Sequence, residues 1–425
     1  MDLNRLWRAT LSYIPACKRV DRKGGRSGGS RKDRKQSVLS FSRKKLRWLN
    51  SKQWFNLIIF FFAIYFFIIG IKLMGSGLKG SGSDLSKSLI RETSPFVGLA
   101  IGVFATAVIQ SSSATTSMVV AWIATSDTPE EVFPFAIPII IGANIGTSVT
   151  NVLVSMGHIR HPPSFRKAFS GALVHDFFNI ISASIFFPLE WLIRELTGKG
   201  LLERMGYATA KFLTGTGGTE FHAMETILSP VLDPMKEGID STGFHPEIMM
   251  IIVGVIILFI ALTVITKSAR RSIDGKVQKV VDRVLFRSAP ASFLTGMGLT
   301  SFVQSSSVTT SLVVPLIGGG ILTIEQIFPY TLGANIGTTV TAMLAAMVIQ
   351  DGSPAATYGL AIALVHLYFN ILGIVFLYPL RKVPIYLAKR VARYISTNRK
   401  MAILFIVVVF FAIPGTIILL DSLIF

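Results

Sequence analysis

Gln110–Ser117 reads QSSSATTS, and Gln304–Ser311 reads QSSSVTTS, a match at seven of eight positions. Downstream of each, Gly142–Thr150 (GANIGTSVT) is answered by Gly333–Thr341 (GANIGTTVT) at eight of nine positions. ALVHDFFNI at 172–180 is answered by ALVHLYFNI at 363–371, and Pro188-Leu189 by Pro379-Leu380. The offset is 194 residues at the first block and 191 at the second and third. Ordered blocks at a nearly constant offset mark a duplicated unit.

The surroundings of these blocks are apolar. Of 425 residues, 51% are hydrophobic and 15% charged, against about 25% charged in a soluble domain. Mean hydropathy is +0.58. Apolar segments fall at about 54–74, 95–126, 133–156, 168–193, 247–266, 289–320, 327–349, 355–380 and 401–420. Several suit a span of about 20 residues; others are interrupted by Gly, Pro, Ser or Asn. The expected class is an all-α polytopic membrane protein built from two repeats with re-entrant hairpins and broken helices. The expected boundaries are a basic arm over 1–52, repeat 1 over 53–194, an extracytoplasmic loop over 195–245, repeat 2 over 246–380, a basic loop over 381–400 and a terminal span over 401–425.

Charge sets the sidedness. The net charge of +19 resembles that of a nucleic-acid binder until it is located: residues 1–52 hold sixteen Lys/Arg and three Asp, hence +13. No zinc-finger pattern or RNA-binding signature accompanies them. The arm instead suits the cytoplasmic face and anionic lipid, and its length is wrong for a cleaved signal peptide. Arg160, Arg166 and Lys167 place the 157–167 turn inside; segments 267–288 and 381–400, each with seven Lys/Arg, also lie inside. Segment 195–245, with seven acids against four Lys/Arg, lies outside. The first His–Phe–Asn helix then runs outward and the second inward. The copies are inverted, the architecture of secondary transporters with a site at the midplane.

The polar blocks suggest what is carried. Serine is a good N-cap and a poor mid-helix residue, so each QSSS reads as a hairpin tip that opens a half-helix. Unpaired N–H groups and the positive helix end make such a start an anion site. Ser111, Ser112 and Ser113 with Gln110, and Ser305, Ser306 and Ser307 with Gln304, add side-chain donors. A lone intramembrane serine ordinarily serves packing; a matched run in both units favours a tetrahedral oxyanion.

In GANIGT, Gly142, Gly146, Gly333 and Gly337 are expected to permit unwinding. Asn144, Thr147, Thr150, Asn335, Thr338 and Thr341 then offer neutral oxygens for substrate or Na+; the competing reading is a Gly-rich helix contact. His175 with Asn179, and His366 with Asn370, lie four apart on one helix face, placed to bond the broken helices of their own repeat. The packing reading is kept for both histidines. Asp176 has Leu367 as its mate, and a carboxylate at that depth calls for a cation, Na+ or H+. One cysteine, Cys17, excludes an internal disulfide. The chain has no phosphate-binding G-x-x-x-x-G-K-[ST] loop, H-E-x-x-H or G-x-S-x-G, so neither direct ATP coupling nor an enzyme is expected, and no cofactor. A carrier of a small oxyanion with a cation remains, with an anion channel as the weaker alternative.

QSSS in both halves, GANIGTSVTN at 142–151, VHDFFN at 174–179 and QSSSVTTSLVVPLIGGGIL at 304–322 resemble the type II sodium–phosphate cotransporters, over about 54–380. The resemblance implies a Na+-driven phosphate symporter with its substrate site at the QSSS hairpins. It implies Na+ ligands among Gln304, Ser305, Thr338 and Thr341, and among Gln110, Asp176 and Asn179. An acid beside the histidine implies electrogenic transport. Segment 195–245 lacks the Cys and Asn of the large outer loop of animal members, and Ala334 stands where they have Ser. These departures point to a bacterial inner membrane. The expected partners are inorganic phosphate, Na+ and the bilayer, with a homodimer left open and no nucleic acid.

Overall fold

The structure, a computed structural model, describes residues 51–80, 94–215, 222–243, 245–272 and 288–424. The basic arm, but for its last two residues, and most of the 267–288 segment lie outside these residues. In chain order, α1 (Ser51–Gly80) precedes the hairpin arms α2 (Pro95–Ile109) and α3 (Ser112–Ala124). Then come α4 (Pro129–Gly146), the short α5 (Val149–Ser155) and the long α6 (Pro162–Thr197). α7 (Leu201–Gly215) and α8 (His222–Asp240) lead to α9 (Pro246–Ser272). The second hairpin, α10 (Ala289–Val303) and α11 (Ser306–Gly318), is followed by α12 (Ile324–Ile349) and α13 (Pro354–Leu377). α14 (Lys382–Ile395), α15 (Arg399–Val407) and α16 (Ile413–Ile424) follow.

Seven helical stretches among the described residues are long and apolar enough to cross a membrane: Trp54–Gly80, Pro129–His158, Pro162–Thr197, Pro246–Ala269, Ile324–Ile349, Pro354–Leu377 and Lys400–Asp421. No described residue is in a strand. The protein is an all-α polytopic membrane protein.

The two QSSS segments are each cut into a pair of short arms, and the cut has the same local cause in both. Gln110 adopts the left-handed conformation (φ 56°) and its N–H closes on Thr106 O, ending α2; Gln304 (φ 59°) does the same on Thr300 O, ending α10. The next residue, Ser111 or Ser305, is extended, and its hydroxyl accepts from Ala114 N (3.2 Å) or Val308 N (3.4 Å). A left-handed non-glycine residue followed by a serine N-cap stops one helix and starts another within two residues. Threonine pairs then clamp the arms: Thr106 to Thr115 at 3.0 Å, and Thr300 to Thr309 at 2.7 Å.

The glycines of GANIGT do not unwind α12, which runs unbroken through Gly333 and Gly337. In the first unit the helix is interrupted only at Thr147–Ser148, between α4 and α5. The glycines instead let helix axes approach. A Cβ on Gly142 would stand 2.1 Å from Leu99 O, and one on Gly333 1.9 Å from Phe293 O. Gly102 faces Ile139 O and Gly296 faces Tyr330 O just as closely. Backbone-to-backbone contact through small residues is how intramembrane helices gain packing energy without a hydrophobic drive. In the second unit the expected unwinding is thus corrected in favour of the helix-contact reading, whereas in the first unit a break does occur, directly after Gly146 where α4 ends.

Besides the close contacts within each unit, helices also pair between units in a matched way. α1 lies along α9; α3 packs on α13 while α11 packs on α6. Two stretches expected as loops, within 195–245 and 381–400, are largely helical and join this exchange: α7 packs on α13, and α14 on α6. Glu190 starts α7 by accepting from Leu202 N (2.6 Å) and Glu203 N (3.0 Å), supplying an N-terminal cap from α6.

Candidate functional site

The two serine tips meet at the centre of this exchange. Ser113 Oγ donates to Gln304 O (3.1 Å), and Ser307 Oγ donates to Thr147 O (3.3 Å). Ser112, Ser113, Ser306 and Ser307 are buried; Ser111 and Ser305 are half-buried at the cap positions. The third serine of each run is therefore engaged with the opposite unit. The middle serines, Ser112 and Ser306, make no side-chain hydrogen bond within the described residues, so their hydroxyls are free for a ligand. Each sits at the first residue of a helix of 13 residues, where N–H groups lack intrahelical partners.

Beside the tips lies a buried amide network. His175 Nε2 meets Asn335 Oδ1 at 2.6 Å, and Asn335 Nδ2 donates to Asn179 Oδ1 at 2.8 Å. Asn179 Nδ2 donates to Asn144 O at 2.7 Å, and Asn370 Nδ2 to Asn144 Oδ1 at 3.2 Å. Asn335 Oδ1 can only accept, so Nε2 of His175 carries the proton and Nδ1 takes the Asn151 amide (3.3 Å). Asn151 Oδ1 accepts from Thr310 of the opposite hairpin (2.9 Å). The histidine–asparagine pairs were expected to bond within their own repeat: His175 and Asn179 do so through Asn151 and Asn144 and also reach Asn335 across the boundary, Asn370 reaches Asn144 across it, and His366 Nδ1 is buried without a partner among the described residues. Asn335, Asn151 and Asn370 Nδ2 thus find partners across the unit boundary, as polar groups in an apolar interior require, while Asn370 Oδ1, like His366 Nδ1, has none among the described residues.

The two halves differ in state as well as sequence. Gln304 is buried, with Oε1 accepting from Thr341 Oγ1 (2.6 Å) and Nε2 donating to Ser301 O (2.6 Å). Its mate Gln110 is exposed, and Thr150 Oγ1, the mate of Thr341, is buried without a partner. Thr338 and Thr147 donate back to Ala334 O and Ala143 O, which leaves their lone pairs available. Asp176 is buried, and neither carboxylate oxygen has a hydrogen-bond partner. Ser148, at the α4–α5 interruption, is beside it but turns its hydroxyl to Ile145 O (2.9 Å). An unpartnered buried carboxylate next to a helix interruption is the arrangement in which a cation is held.

A family model described as Na+/Pi-cotransporter matches residues 66–188 and 250–410, one stretch over each unit. The chain belongs to the Na+/Pi-cotransporter family. Human sodium-dependent phosphate transport protein 2B is 32% identical over 409 residues, covering 76% of this chain and 59% of that protein. Sodium-dependent phosphate transport protein 2A of Rattus norvegicus is 31% identical over 405 residues, covering 79% of this chain and 62% of that protein. The chain thus spans about three fifths of the length of the curated relatives it matches. No solved structure matches it.

Within this cotransporter-family chain, repeat comparison points to the serine tips, Gln304 with Thr341, and the asparagines. It passes over Asn151, which with Thr310 of the repeated octapeptide ties the hairpin α11 to the His175 helix. Asn151 closes the motif GANIGTSVTN, but its mate is Ala342, so the duplication itself carries no signal for it.

Proposed function

We propose that the protein is a Na+-driven symporter that takes up inorganic phosphate across a cell membrane by alternating access, with its N-terminus cytoplasmic and its two units inverted. The observation that carries this reading is the meeting of the two serine tips, with Ser112 and Ser306 unengaged. Together with Ser111, Ser113, Ser305, Ser307, Gln110 and Gln304 they hold the oxyanion by hydroxyl, amide and backbone donors without a fixed cation, so the bound anion can leave. Na+ sits at Gln304, Ser305, Thr338 and Thr341 in the second unit, with Asn335 behind them. In the first unit it sits at Gln110, Asp176 and Asn179, with Asn144. The membership in a cotransporter family and the names of the relatives support phosphate and Na+ as cargo.

Purified protein in liposomes should accumulate labelled phosphate under an inward Na+ gradient and not when K+ replaces Na+. Equal uptake with K+ would end the coupling claim, and stronger competition by sulfate or a carboxylate than by unlabelled phosphate would reassign the substrate. Ser112→Ala and Ser306→Ala should each raise KM for phosphate about tenfold or more, the loss of one hydrogen bond to a charged group, with little change in the Na+ concentration at half-maximal rate. The reverse pattern would move these serines to the ion sites.

A further inference from the structure

α14 is held between two spans. Four residues separate it from α13 and three, Ser396–Asn398, from α15. Links this short reach at most about 14 Å, so α14 lies at the membrane surface where both spans emerge. Its apolar stripe, Ile385, Ala388, Ala392 and Ile395, is buried, seated on α6. The other face is exposed and basic, with Lys382, Lys389, Arg390 and Arg393 on it and Arg381 just ahead. Among these cations only Lys389 has a carboxylate partner within the described residues, Glu325 at 2.5 Å. Segment 381–400 itself contains no acid.

The aromatic residues say what medium this face meets. Tyr386 and Tyr394 are 57% and 69% exposed, and a ring with one apolar body and one polar tip belongs at headgroup depth. Arg390 donates to Tyr386 Oη at 2.7 Å, and Arg381 lies over the Tyr378 ring at 5.3 Å from its centroid. These contacts hold guanidinium groups close to the tyrosine layer without neutralising them. Long basic side chains beside a bilayer send their charge to the phosphate plane. We infer that α14 is a docking surface for anionic phospholipid headgroups, with Arg381, Lys382, Arg390 and Arg393 supplying the countercharge. A helix tethered at both ends to membrane spans meets lipid before it meets any soluble partner. Because its stripe packs on the helix that carries His175 and Asp176, bound lipid also braces that helix. The inference does not depend on which solute is carried.

The test uses the full chain in vesicles containing photoreactive phosphatidylglycerol or photoreactive phosphatidylcholine, with crosslinked peptides mapped by mass spectrometry. Mapping separates α14 from the basic arm, which stays intact throughout. Phosphatidylglycerol should label the 381–395 peptides at least about fivefold more than phosphatidylcholine, and labelling should fall as NaCl rises. Arg381→Gln/Lys382→Gln and Arg390→Gln/Arg393→Gln, made as separate pairs so that each is read in folded protein, should each lower it severalfold. Lys199→Gln/Lys211→Gln, just ahead of and on α7, should not. Equal labelling by the two lipids, no loss in either pair, or displacement of the lipid by inorganic phosphate or an acidic peptide at equal charge would overturn the assignment.

Discussion

Asp176→Asn should remove one Na+ step: the net charge moved per phosphate falls by about one elementary charge, and the Na+ dependence of uptake becomes shallower. The reason is the pairing at this position. Both carboxylate oxygens are buried without a hydrogen-bond partner, and a charge in that setting costs several kcal/mol unless a counter-ion joins it. Asparagine keeps the shape and drops the charge. The variant should therefore be more heat-stable than the wild type in Na+-free buffer, while the wild type gains more stability on adding Na+. That sign follows from linkage, since an ion that binds only the folded state stabilises it in proportion to occupancy. Voltage-clamped or potential-controlled liposome uptake reads the charge, and a thermal melt in choline against Na+ reads the stability. Unchanged charge per phosphate together with an unchanged Na+ response would remove Asp176 from the ion pathway.

Gly333→Ala should be among the most damaging single-methyl changes within the described residues. The added Cβ would lie 1.9 Å from Phe293 O, 2.8 Å from Phe293 C and 2.9 Å from Met297 N, all backbone atoms that no rotamer change can move aside. α10 and α12 must part by about an ångström or more, and overpacking of this kind costs about 1–3 kcal/mol and often more. The shift is also aimed at function, because α10 ends at Gln304, whose side chain is bonded to Thr341 on α12. Prying the helices apart breaks that contact, so transport should be lost even where expression survives. Gly298→Ala is the control: on the same helix α10, a Cβ there meets nothing within 4 Å, and stability and uptake should be unchanged. A detergent melt and the uptake assay compare the two, and equal behaviour of both variants would show that the close approach is not needed.

The duplication, the hairpin breaks and the crossing helices were legible in the chain because each rests on neighbours in sequence. A serine placed to cap, a helix-length apolar run and a repeated octapeptide act within a few residues, whatever surrounds them. Ser111 and Ser305 behave as the motif implies. Composition likewise sufficed for the membrane. The reading of GANIGT shows where this ends. Glycine permits both unwinding and close packing, and the choice depends on whether a carbonyl from another helix stands opposite. Leu99 O and Phe293 O do stand there. The same holds for α7 and α14: their amphipathic patterns lie in segments whose charge reads as loop, and their buried faces exist only because α13 and α6 offer surfaces across the unit boundary.

The local chemistry of each half, its caps, breaks and donors, was written in the residues. The tertiary arrangement alone chose partners separated by 156 to 226 residues: His175 with Asn335, Asn335 with Asn179, Asn370 with Asn144, Ser113 with Gln304. It also made the halves unequal, with Gln304 folded onto Thr341, Gln110 exposed and Thr150 Oγ1 without a partner. Near-identical motifs have no means of encoding that difference. It arises from the rotation and approach of whole helices, which set how far each short polar side chain has to reach.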